Sequence, residues 1–149
     1  MKDQLVLRVV SKLILPFILL FGCYIQLHGD LSPGGGFQAG VILASAFILY
    51  GLIFGIHTAQ QVFPKGAAVR LSALGLLLYT GTAAVTLLEG GELLNYSVLA
   101  HDAHHGQHWG IFTIELGVCT TVTSVMVLIY YTFGRYKIPA SGNHTEDRG

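Results

Sequence analysis

Four apolar stretches, at about 7–28, 37–57, 69–88 and 110–133, each approach the roughly 20 residues an α-helix needs to cross a bilayer. Together they take up most of a 149-residue chain. Helices satisfy their backbone hydrogen bonds internally, which hydrocarbon demands of any chain that spans it. The pattern therefore predicts an all-α membrane protein with four transmembrane helices. Composition agrees, since 11% of the residues are charged, against roughly a quarter in a soluble domain. With zero net charge and no basic patch, no nucleic-acid partner is expected. The partner the composition does demand is the lipid bilayer.

Charge placement sets the orientation. The eight basic residues are Lys2, Arg8, Lys12, Lys65, Arg70, Arg135, Lys137 and Arg148, and all fall at the N-terminus, between the second and third spans, or at the C-terminus. The positive-inside rule then puts both termini and the middle loop in the cytoplasm, with 28–37 and 89–109 outside. The start "MKDQLVLRVVSKLILPFILLFGCY" also has the outline of a cleavable signal or lipoprotein leader. Phe21 is large where small residues are usual, and the apolar run continues to Leu27, so a retained span is expected. Residues 135–149 read as a polar cytoplasmic tail.

Inside the spans, Cys23 and Cys119 read as small packing residues, because neither has a nearby second ligand in sequence. Gly40 and Ala44, then Gly51 and Gly55, are small residues four apart, spacing that lets another helix approach closely. The third span repeats this loosely with Gly75, Gly81, Thr82, Ala83 and Ala84. The stripe "CTTVTS" at 119–124 offers hydroxyls that bond to carbonyls one turn back or to a neighbouring helix. Small residues on several faces suggest a chain walled in by other membrane subunits.

Candidates for chemistry are few. "HGDLSPGGGF" at 28–37 lacks the Lys and Ser/Thr that a phosphate-cradling loop places after its glycines, which excludes nucleotide binding. Pro33 with Gly34, Gly35 and Gly36 instead makes a turn of low bulk and charge. It is either a plain hairpin or a backbone wall against a partner helix or aqueous cavity. Glu115 is the one acid inside a span, about 8 Å along the last helix from Gly110. It is a candidate for an ion or proton path, or else a hydrogen-bonded anchor. At helical spacing His108, Phe112, Glu115 and Cys119 share a face, so His108 could stand above Glu115 in a protonatable pair. His101, Asp102, His104, His105 and His108 form a weak metal candidate that depends on their segment being helical, against which Gly106 argues. Haem is not expected: His28 and His57 lie a bilayer apart, and spans three and four contain no His. No cofactor and no resident metal are expected. An autonomous transporter needs more embedded charge than this chain holds.

"LILPFILLFGCYIQLHGDLSPGGGFQAGVI" at 13–42 and "GQHWGIFTIELGVCTTVTSVMVLIY" at 106–130 carry a resemblance to a known family. The chain resembles the B subunit of the Mrp (Mnh) multisubunit cation/proton antiporters, and the likeness spans a domain over 1–134. His28 and Gly29 match the family's "HG", Pro33 to Phe37 its loop motif, and Glu115 its last-span acid. Residues 101–105 match no family motif. The resemblance implies no enzyme but a secondary-transporter subunit in a hetero-oligomeric plasma-membrane complex that exchanges Na+ for H+ and serves pH homeostasis. Its large subunits are similar to the antiporter-like subunits of respiratory complex I. The expected role is packing against those subunits, with a contribution to an ion path. Two alternatives stay open: a purely structural adaptor in a related hydrogenase-type complex, and a self-contained homo-oligomeric channel or exporter.

Overall fold

The computed structural model describes residues 3–29, 34–90 and 103–134. Every element among them is a helix: α1 (Asp3–Leu27), α2 (Gly36–Phe54), α3 (Ile56–Val62), α4 (Lys65–Leu88) and α5 (Ala103–Gly134). Four are long and apolar enough to cross a membrane, over Leu5–Leu27, Gly36–Phe54, Lys65–Leu88 and Gln107–Gly134. These are the four spans expected from hydropathy. The tail at 135–149, Pro33, His101 and Asp102 lie outside the described residues.

Two boundaries differ from the sequence expectation, each for a physical reason. The second span stops at Phe54, not 57, because Gly55 adopts φ 93° and ψ 151°, a conformation closed to most side chains. The chain then turns into the short helix α3. The last helix begins at Ala103, seven residues before its apolar window. Hydropathy marks where hydrocarbon begins, and a helix is free to continue past that point.

Helix α5 is the centre of the bundle. It packs along α4 and α2, while α1 rests mainly on α2. At the α4–α5 crossing the two backbones touch. A methyl carbon added to Gly75 would lie 2.6 Å from the Gly117 carbonyl oxygen, and one added to Gly117 would lie 2.8 Å from that of Gly75. Small residues of this kind set how closely membrane helices approach. Gly51 makes room in the same way for the Tyr130 ring, whose Cε1 would stand 2.6 Å from an added carbon. Gly55, its partner in the four-residue spacing, has nothing within 4 Å and serves as a break.

Ala44, Ala59, Val127 and Tyr131 form a buried cluster at the α3 end of the bundle. Phe63 closes α3 against it, its ring stacked on Phe47 at 5.0 Å. The buried Tyr131 hydroxyl donates to the Phe63 carbonyl at 3.0 Å, which satisfies its polar tip within an apolar setting. Lys12 belongs to this end, with its Nζ 5.5 Å from the centre of the Phe54 ring, and so do Lys65 and Arg70 at the start of α4. The opposite end carries the turn glycines, Glu115 and Trp109.

The hydroxyl stripe of α5 bonds both ways. Thr120 donates to Leu116 and Thr121 to Gly117, each at 2.8 Å. The Thr123 hydroxyl sits 2.7 Å from the Cys119 carbonyl on its own helix and 3.1 Å from the Gly40 carbonyl on α2.

Candidate functional site

The site is assembled where the end of α1, the start of α2 and the interior of α5 converge. Gly36, Gly40 and Ala44 lie four apart along one buried face of α2, and α5 meets them in register. A carbon added to Gly36 would collide with the Glu115 carbonyl oxygen and stand 2.7 Å from its carbonyl carbon. One turn further, a carbon added to Gly40 would lie 2.9 Å from the Cys119 carbonyl oxygen. Any side chain at Gly36 would therefore hold α2 away from Glu115.

With the backbones this close, the Glu115 carboxylate reaches the turn. A methyl carbon placed on Gly29 would meet Oε2 and lie 2.8 Å from Oε1; one placed on Gly35 would lie 3.2 Å from Oε1. Three glycines thus form a cradle with no Cβ, and the single acid of the last span fills it. Gly35 serves a second purpose. As the N-terminal cap of α2 it adopts φ 142° and ψ 176°, a region that is essentially glycine-only.

The start of α2 presents a partial positive charge at this position. The first helical bond at the start of α2 runs from the Ala39 N–H to the Gly35 carbonyl, and Gly35 has no side chain with which to cap this end. The N–H groups ahead of Ala39 are left without intrahelical acceptors, so a partial positive charge is centred there. The Glu115 side chain lies at that positive end against Gly35, and its backbone lies against Gly36.

The remaining sequence candidates are placed as follows. His28 turns back on its own helix: its Nδ1–H donates to the Tyr24 carbonyl at 3.0 Å, and its ring stacks on Tyr24 at 4.1 Å. His108 lies on the exposed side of α5 with its ring 6.3 Å from that of Trp109. Phe37 is exposed and Gly34 half-buried. His104 and His105 fall on α5, so helix does extend into the His-rich segment despite Gly106. Among the described residues no group of three or more His, Cys, Asp or Glu is arranged to hold a metal. Within the chain, the neighbour of Gly29, Gly35 and Gly36 is α5. The sequence reading passed over Gln26, a lone amide in the apolar run "CYIQLHG" that is buried in the structure.

Fold and site together define a four-span membrane protein whose one embedded acid is held by a glycine turn nearly 80 residues away in the chain. The domain family related to the MnhB subunit of Na+/H+ antiporter matches residues 6–128, and the chain belongs to that family. A protein of Staphylococcus haemolyticus, named as a candidate antiporter subunit mnhB2, is 35% identical over 131 residues, covering 86% of this chain and 92% of the relative. Proteins of the same description from Staphylococcus epidermidis and Staphylococcus aureus are 32% and 34% identical, with the same coverage.

Proposed function

We propose that the chain is a plasma-membrane subunit of a multisubunit Na+/H+ antiporter, with both termini cytoplasmic and the glycine turn at the outer face. In this reading it packs against antiporter-like subunits, and Glu115 is its own protonatable group on an ion path. The observation that carries the role of Glu115 is its seat: a carboxyl group at the positive end of α2 in a cradle of Gly29, Gly35 and Gly36, where an added Cβ would crowd Glu115. Family membership and the relatives' names support the complex. The membrane side of each loop rests on the basic residues, since Lys12, Lys65 and Arg70 gather at the end away from the turn.

The cradle also tightens the packing of α2 on α5, which favours a second reading in which Glu115 is only a latch. Replacing Glu115 by Gln in the assembled complex separates the two. Gln keeps the size and one acceptor oxygen and removes the titratable proton. Loss of most Na+-dependent proton exchange in membrane vesicles, at wild-type recovery of all subunits, is the expected result. Undiminished exchange in a fully assembled Glu115→Gln complex leaves the latch.

A further inference from the structure

Beneath the cradle lies a cavity of about 500 Å3 between α1, α2, α4 and α5. Its walls are mostly apolar, with Leu27, Leu43, Phe47, Leu71, Phe112 and Leu116 among them. Gln26 lines it too, one turn before Gly29 and so about 4.5 Å nearer the middle of the bundle along α1. Gln26 is 7% exposed, yet neither its Nε2 nor its Oε1 has a hydrogen-bond partner among the described residues. An amide shut away from water without partners is destabilising, and hydrocarbon cannot relieve it.

Whatever fills this groove must match its apolar walls and offer the amide both a donor and an acceptor. A lipid acyl chain suits the walls and leaves both amide atoms unmet. A second copy in a closed twofold pair fails on shape. A twofold pair sets the same patch against itself, and two concave surfaces do not fill one another. A membrane helix of another polypeptide meets both demands, with a convex ridge of apolar side chains and one Gln, Asn, Ser, Thr or His to pair with the amide. Hydrogen bonds of this kind join neighbouring helices in membranes.

We propose that this groove seats a transmembrane helix of a different polypeptide, which carries a hydrogen-bonding side chain to Gln26. The inference rests on the reading of the chain as one subunit among several and assigns the face that receives a neighbour. The test places a diazirine amino acid at Leu27, on the groove and 67% exposed, with Leu20, outside it and 69% exposed, as the control position. Both are activated by light in the affinity-purified complex and the products identified by mass spectrometry. The Leu27 position is expected to yield an adduct with one other membrane subunit that the Leu20 position does not give. Gln26→Leu is expected to lower recovery of that subunit on the order of threefold to tenfold. Adducts at Leu27 confined to lipid or to a second copy overturn the proposal, as does full recovery and unchanged crosslinking in Gln26→Leu. If other subunits co-purify in those cases, the antiporter reading stands and only the groove assignment falls. If none co-purifies, both fall.

Discussion

Gly29 allows the cradle to be tested by a single methyl group. It is not among the positive-φ glycines, so its backbone accommodates alanine, and whatever Gly29→Ala does arises from what the methyl touches. It would touch the Glu115 carboxylate, 2.8 Å from Oε1 and 2.9 Å from Cδ. Ordinary contact begins at 3.4 Å, so the carboxylate must retreat by at least 3.4 − 2.8 = 0.6 Å. Pushing a side chain off its rotamer costs about 0.5–1.5 kcal/mol, and displacing it from the positive end of α2 adds about 0.3–1 kcal/mol. Gly29→Ala should therefore destabilise the chain by about 1–3 kcal/mol. In a Glu115→Ala background the obstacle is gone, and the same methyl should change stability by less than about 0.5 kcal/mol. The double-mutant cycle then gives a coupling of about 1–2 kcal/mol. Unfolding from mild detergent into SDS micelles measures it, followed by the fluorescence of Trp109, the one tryptophan, six residues before Glu115 on α5. Equal destabilisation in both backgrounds would refute the reasoning, because the methyl would then be meeting something other than the carboxylate.

Gly35→Ala should behave differently from Gly29→Ala. Its φ of 142° strains any side chain, so it is expected to lose about 1–3 kcal/mol whether or not Glu115 is present, as read by the same unfolding assay. At the α4–α5 crossing, Gly75→Ala forces two backbones apart and should cost about 1–3 kcal/mol. Gly81→Ala, on the same helix with nothing within 4 Å, should be neutral or stabilise by up to about 1 kcal/mol through helix propensity. Similar losses at both positions would mean that α4 does not meet α5 at Gly75.

The helices were legible in the sequence because length and apolarity are all that a bilayer asks of a span. The close approach of helices at Gly40, Ala44 and Gly51 was legible as well, since four-residue spacing of small residues has one steric meaning. Which helix approaches was not: these residues and the glycine turn meet α5 of the same chain. Glu115 stood out as an embedded acid and "SPGGGF" as a turn, but nothing local joins position 29 to position 115. Their contact exists only because Gly36 and Gly40 bring α2 and α5 into register. Gly55 was read as a packing residue by its spacing from Gly51, and its backbone conformation makes it a break. Gln26 did carry a signal, an amide in an otherwise apolar run, of the same kind that marked Glu115.

Helix α5 has 32 residues without a proline and is thus about 48 Å long, against a hydrocarbon thickness of roughly 30 Å. It cannot end where the membrane does. Its first turns, from Ala103 to His108, belong to the same continuous helical rod that holds Glu115 in the turn. Mechanically the rod is a lever with no joint between handle and load. A tilt of its first turns would move Glu115 with them, against three glycines that have no side chains to yield.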